Sequence, residues 1–467
     1  MSQSSDSSRQ LPLTPFERYM VVDDRDSHPM TFHYEVTFEG TVDRTILEDT
    51  LRTAVARHPL LTAAIVGRGN GMSWQTGTHA TPRIHWQQSG SVWELPERGE
   101  AIDLSIEPGL RVWASASNDK LGLLLQFHHA CCDGIGALRV LGHWLAVYHS
   151  AVTGTNLPLP PLNENLLAQR GRPRWKLPPE PISFWTATKA KLQEAWKYLS
   201  RYPLSIPNSS TVPTSKNPSH YPGVLCETLS RDQTQALRVR ANRLGVNVND
   251  LLLTALFRVM SDWQCEFRGR KSLKRWLQIN VPTSMRDKAD EPLSATNVLG
   301  YAFLARRVSE CNVTFRELLQ GLSLEMEAVQ KWNLGMFFLE GLATVDRVPG
   351  LLRWFTSGKR CFATTVLTNV GDISRRLGVR LPKSDGCVEA GGMRLVKITG
   401  SPPLRPETNA VFGILICGGR MTITIRHHPK SLDLDSAQML LDKFAKTVTE
   451  DISLDSQSSK FDSVAVS

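Results

Sequence analysis

The stretch LGLLLQFHHACCDGIGALRVLGHWL, residues 121–145, holds the residue types from which proton-transfer chemistry is built. His128 and His129 close an apolar run, and Asp133 and Gly134 follow a few residues later. A neutral imidazole can take a proton from an attacking hydroxyl, amine or thiol. A buried carboxylate beside it can pair with an arginine and hold the loop in shape, and a glycine lets backbone or substrate approach closely. Each residue also has a plainer reading. Asp133 stands where a helix N-cap belongs, and the histidines can end a strand with their hydrogen bonds satisfied. Successive side chains on a strand point to opposite faces, so His128 and His129 do not both face one site. That argues against a paired metal site, no third ligand sits at zinc spacing, and no metal is expected. Cys131 and Cys132 offer a rival nucleophile beside a histidine, although neighbouring cysteines in a buried loop more often act as small packing residues. A second doublet, His427 and His428, lacks the Asp-Gly that follows the first, so the doublet alone does not define a site.

The elements that must position this loop are legible on both sides of it. KLGLLLQFHH is almost wholly apolar and reads as a strand buried on both faces, paired across NDK with LRVWASAS. GIGALRVLGHWLAVYHS follows as a helix with Ile135, Leu138, Leu141 and Leu145 on one face. Upstream, LTPFERYM carries a capping box, with Thr14 as cap, Pro15 at the first helical position and Glu17 closing the box. MTFHYEVTFEG alternates as a strand ending at Gly40, and RTILEDTLRTAVARHPLL is an amphipathic helix stopped by Pro59. LLTAAIV, GMSWQT and PRIHWQQ read as short strands. Residues 154–182 hold seven prolines and read as a linker. A second cycle starts near Val224 with the strand VLCETLS. Ser230 and Gln233 then box a helix ended by Gly245, and Asn249 is expected to cap a buried one. Strands are expected in LKRWLQINVPTSMR, NVLGYAFLARRV, CFATTVLTNVGDI and AVFGILICGGRMTITIRHH. A helix capped by Thr314 and Glu317, and a last helix in DLDSAQMLLDKFAKTVTEDI, complete the chain.

Composition bounds the answer more loosely. A chain of 467 residues with 41% apolar and 21% charged residues is globular, with two or three domains. The formal charge of +9 reads as a basic surface or as a site for a phosphate-bearing ligand or acidic partner. Lys and Arg are scattered and no recognition motif appears, so nucleic acid is not an expected partner. The opening MSQSSDSSRQ has no signal or transit pattern, and no apolar run approaches the roughly 18 residues of a bilayer span. The eight cysteines form no CxxC, so they are read as reduced thiols in a cytoplasmic protein. The aromatic, basic helix at 184–204 could touch a membrane surface or pack on its own domain.

At this point the residues resemble a known family. HHACCDG is similar to the HHxxxDG motif of the condensation-domain and acyltransferase superfamily, which is chloramphenicol-acetyltransferase-like and includes polyketide-associated acyltransferases, wax-ester synthases and alcohol acyltransferases. LTPFERYM resembles its opening segment. AVARHPLLTAAI resembles its RHPxLR segment, with Thr62 in place of arginine. VNVNDLLLTAL, VPTSMRD through ATNVLG, and LTNVGDI, with Thr368 in place of serine, resemble three further segments in the same order. No DFGWG occurs, which argues against the plant alcohol acyltransferases.

The resemblance implies an α/β fold of two chloramphenicol-acetyltransferase-like domains, each a mixed sheet flanked by helices, with a channel at their interface. The expected boundaries are a disordered 1–10, a first domain at 11–182, a second at 183–460 and a disordered 461–467. His129 is then the general base, Asp133 a scaffold carboxylate and His128 its structural neighbour, with Gly134 completing the motif. Arg286 is the expected partner of Asp133, and Asn297, Gly300, Asn369 and Gly371 are expected near the channel. The implied activity is acyl transfer from coenzyme A or a carrier protein to a hydroxyl or amine acceptor, small-molecule or lipid. No tightly bound cofactor is implied, and a monomer is expected. The alternatives are amide or ester formation on carrier proteins, and a catalytically silent docking protein of the same fold.

Overall fold

The computed structural model describes residues 9–88, 93, 99–172, 200–209, 223–358 and 360–450. Two mixed sheets organise them. The first has seven strands in the order Lys383–Ser384, Cys387–Ala390, Met393–Ser401, Thr31–Glu39, Lys120–His128, Leu110–Ala116 and Ile84–Gln87. The second has six, in the order Leu299–Arg307, Trp276–Ser284, Thr365–Asp372, Ala410–Cys417, Arg420–His427 and Val224–Thr228. A small three-stranded sheet of Gln10–Pro12, Ser73–Gln75 and Ala64–Val66 lies apart.

The expected apolar strand Lys120–His128 is central in the first sheet, between Thr31–Glu39 and Leu110–Ala116. Its odd positions Leu121, Leu123, Leu125 and Phe127 enter the main core, while Leu124 packs with Trp113 on the other face. The helices Arg44–Ala56 and Gly134–Thr153 cover the core face through Leu47, Leu51, Leu138, Leu141 and Leu145. A separate core under the second sheet is closed by the helices Val248–Arg268, Phe315–Trp332 and Leu434–Thr449. This is the two-sheet α/β architecture expected from the sequence.

Three expectations need correction. The strands between Lys383 and Ser401 come late in the chain, yet they extend the first sheet, with Ser401 opposite His33 and Arg394 opposite Glu39. Met393, Leu395 and Ile398 are buried in the first core, so residues 183–460 do not form one contiguous lobe. The boundary at 182–183 and residues 184–199 of the helix read at 184–204 lie outside the described residues, as do 1–8 and 451–467; residues 201–204 are not helical, and Gln10 begins a strand. Second, the cap of the helix Val248–Arg268 is Asn247, not Asn249: Asp250 accepts from its backbone N–H to close a capping box. Third, the helices Met336–Asp346 and Leu351–Ser357 were not read from the sequence.

The sheets abut where Met393–Ser401 meets Ala410–Cys417. A Cβ on Gly413 would stand 2.3 Å from the Gly400 carbonyl oxygen, and one on Gly400 would stand 2.7 Å from the Tyr34 ring. Neither position has room for a side chain. Charged pairs across the seam join Asp133 to Arg286, Asp23 to Arg405 and Glu100 to Arg426. Among the described residues no helix is long and apolar enough to cross a membrane.

Candidate active site

The central strand delivers the two histidines to opposite sides, as strand alternation requires. His128 shares a face with Leu124 and Gln126 and is 1% exposed. Its Nδ1 accepts from the Ala130 N–H (3.1 Å), which leaves Nε2 protonated and donating to Asp24 Oδ2 (3.4 Å). The ring is occupied with holding the turn. His129 lies the other way, edge-on to Phe16 (5.9 Å) and Phe32 (5.2 Å), on the wall of a cavity between the two sheets.

Burial pulls the His129 pKa below its ordinary 6.5, against the opposing pull of its own carbonyl, Asp133 and Asn297. The ring is therefore neutral at neutral pH. Its Nδ1 is buried and finds no hydrogen-bond partner among the described residues.

The backbone that presents His129 is clamped from both sides of the seam. Its N–H donates to Met30 O (2.8 Å). The Asn297 amide, from the segment before Leu299–Arg307, donates to the carbonyls of His129 (2.8 Å) and Ala130 (3.0 Å). Asp133 combines both roles weighed for it. Its Oδ1 accepts from Gly136 N–H (2.8 Å), capping the helix Gly134–Thr153, while Oδ2 accepts from Arg286 Nη1 (2.7 Å) and Val298 N–H (2.8 Å). Burial alone would raise the carboxyl pKa; Arg286 and the two backbone donors overcome it and hold the pKa below 3.8. Arg286 Nη2 also donates to Thr296 O (2.8 Å). Gly134 is needed because a Cβ there would meet the Tyr34 hydroxyl at 2.7 Å, and that hydroxyl donates to Gly134 O (3.1 Å).

Behind the segment lies a feature that sequence reading missed. His58 Nδ1 accepts from Ala295 N–H (2.9 Å), so its Nε2 carries the proton and donates to His143 Nδ1 (3.0 Å). Both rings are buried, and burial is the main cause that lowers both pKa values; His143 and then Arg57 and Arg139 add to it at His58, and Arg57 and Arg139 at His143, whose pKa falls to about 4. This pair braces residues 293–298, which in turn hold Asp133 and the carbonyl of His129. The only sequence signal was His58 in the RHP triplet.

The cavity, of about 130 Å³, forms because the second sheet parts. Thr365–Asp372 pairs with Trp276–Ser284 only at Thr365–Ile279 and Val366–Asn280. Beyond that point Val366, Thr368 and Val370 form one wall and Asn280 and Pro282 another, with Phe32, Tyr301 and Phe338 among the aromatic lining. Period-two alternation then turns Asn369 away from the cavity. Its amide reaches Asn249 Oδ1 (3.3 Å), and its own Oδ1 accepts from Gly371 N–H at a bulge where Gly371 has φ +75°. Gly300 is likewise off the wall, packed where a Cβ would stand 2.8 Å from the Gly335 carbonyl carbon, while its neighbours Leu299 and Tyr301 face in. Of the four residues expected near the channel, Asn297 braces the loop and the other three are structural; none lines the cavity. Cys131 and Cys132 are fully buried with thiol pKa values pushed up by burial, so they are packing residues rather than thiolate nucleophiles. His427 is buried elsewhere, with Nδ1 against Leu432 O.

No protein-family model matches the chain. Two uncharacterized proteins of Mycobacterium tuberculosis, one from each of two strains, are 31% identical over 152 residues, covering 28% of this chain and 32% of theirs. Solved structures match nearly end to end. The first condensation domain of the CDA synthetase is 15% identical with a TM-score of 0.66, over 95% of this chain and 96% of that one. Polyketide synthase associated protein 5 from Mycobacterium tuberculosis is 16% identical with a TM-score of 0.59, over 94% and 98%. A starter condensation domain of rhizomide synthetase, solved in complex with C8-CoA, is 14% identical with a TM-score of 0.64, over 94% of each chain. The fold is that of the condensation domains and their polyketide-associated relatives.

Proposed function

We propose that the chain is an acyltransferase that moves an acyl group from a phosphopantetheine thioester to a hydroxyl or amine. In this reading His129 takes the proton of the acceptor through Nε2, the nitrogen left to the cavity once Nδ1 is shut away. The acceptor oxygen or nitrogen attacks the thioester carbonyl, the carbon–sulfur bond breaks, and the imidazolium returns its proton to the departing thiolate. No acyl-enzyme forms. Asp133, Arg286 and Asn297 do not touch substrate; they fix the loop that carries the base. The supporting observation is a neutral imidazole on a cavity wall whose backbone is clamped from both sides of the seam.

The test is incubation with a panel of acyl-CoA thioesters and acceptors, with product mass as readout. His129→Ala should lose about 10²–10⁴ in rate while keeping the fold. A variant within a few-fold of wild type would end this assignment. Likeness to condensation domains favours a second reading, in which the donor is carried on a carrier protein. Acyl-loaded carrier proteins in the same assay separate the two, and a wild-type protein inert with both donors would point to a docking role.

A further inference from the structure

The cavity wall is mostly apolar, yet apart from its histidines two polar side chains on it have a buried atom left over among the described residues. Asn280 projects from Trp276–Ser284, and Ser401 ends Met393–Ser401 on the opposite sheet. They are 7% and 4% exposed, and neither Asn280 Oδ1 nor Ser401 Oγ finds a hydrogen-bond partner among the described residues. Neighbouring polar groups show what satisfied ones do here: Gln278, on the same face of the same strand as Asn280, donates to Phe362 O (2.7 Å), and Thr408 donates to Ala363 O (3.0 Å). Burying an amide oxygen or a hydroxyl without a partner is costly.

Resting on the reading of the cavity as an acyl-transfer site, we propose that Asn280 and Ser401 are its specificity-determining residues and that the preferred acyl group is an apolar chain bearing a hydroxyl. An amide oxygen can only accept, so the ligand must bring a donor. A hydroxyl has the chemistry for both, since it can donate to an amide oxygen and accept from a serine hydroxyl. A plain alkyl chain leaves both groups unpaired and is disfavoured for that reason.

The experiment is equilibrium titration of the wild-type protein with octanoyl-CoA and with a series of octanoyl-CoA derivatives hydroxylated at successive carbons, alongside transfer assays. One position in the series should bind roughly tenfold tighter or better than the parent. Asn280→Leu and Ser401→Ala should each abolish that preference, so that the hydroxylated derivative binds no tighter than the parent. Both variants should also melt higher than wild type, since each removes an unpaired buried polar atom; a merely structural pair would melt lower. Equal binding across the series, or a preference that survives both substitutions, overturns the inference while leaving acyl transfer standing. If the variants weaken free coenzyme A and the parent thioester alike, the two groups serve the pantetheine arm and the inference is overturned. If no thioester binds or reacts, the acyl-transfer reading falls and takes the inference with it.

Discussion

At the scale of single residues, the proposed chemistry rests on a histidine kept neutral by burial. If His129 is the base, kcat/KM should rise with pH along an acid limb whose midpoint lies below 6.5, because burial has lowered the pKa of the group that must be unprotonated. Asp133 acts against that lowering, so Asp133→Asn should move the limb further towards acid; a pH–rate profile of the two proteins checks the sign. The same substitution tests the loop. The amide it introduces would keep a capping oxygen but turn an N–H towards the donors of Arg286 and Val298. Breaking a buried ion pair costs about 3–5 kcal/mol, whereas losing a cap costs about 0.5–2 kcal/mol. Asp133→Asn should therefore melt close to Asp133→Ala, with Arg286→Glu reproducing the defect, and an Asn variant as stable as wild type would reduce Asp133 to a cap. The cap at Asp133 was legible from the Asp-Gly pair itself, whereas Arg286 as its partner was implied only by the family resemblance. Thr368 and Val370, rather than Asn369, line the cavity, and this was not legible: which face of a strand looks inward depends on its neighbours, and those are remote in sequence.

At the scale of elements, the caps were the most readable features. Thr14 with Glu17, Ser230 with Gln233 and Thr314 with Glu317 each form the expected box, since a box needs only residues three apart. The cap expected at Asn249 lies two residues earlier because asparagine stands at both 247 and 249, and only Asn247 has an acidic partner, Asp250, at box spacing. Packing between elements was less accessible. The His58–His143 pair ties the turn after Arg44–Ala56, the helix Gly134–Thr153 and the segment at Ala295 together, and nothing local in the sequence announces it. His58→Leu would leave the Ala295 N–H unpaired, at about 1–3 kcal/mol, and His143 Nδ1 with only its longer bond from Arg57 Nε (3.4 Å). Thermal melts should show that loss. Amide exchange should quicken at residues 295–298 before it does in the second-sheet core; uniform quickening would mean the pair has no special hold on this segment.

At the scale of the whole molecule, seven histidines among the described residues, His28, His33, His58, His129, His143, His427 and His428, have pKa values lowered chiefly by burial. The unfolded chain takes up these protons near pH 6.5, and the folded chain does so only at lower pH. Unfolding therefore binds protons, and stability should fall as the pH drops below 6.5, well before the buried carboxylate of Asp133 is protonated. A melting temperature flat from pH 7 to 5 would contradict this. The α/β class was legible from the recurring strand and helix patterns and the two-sheet architecture was implied by the family resemblance, but the membership of each sheet was not, because the pairing of Met393–Ser401 with Thr31–Glu39 spans most of the chain. That pairing governs the order of events during synthesis. Thr31–Glu39 leaves the ribosome early with one edge bare, and its partner is translated roughly 20–70 s later at ordinary elongation rates. For that interval an exposed strand edge is open to wrong partners. Nascent chains released at residue 382 should remain protease-sensitive throughout their first 150 residues, whereas chains released at residue 450 should resist. Equal resistance would mean that the early part of the chain holds its shape without its late strand.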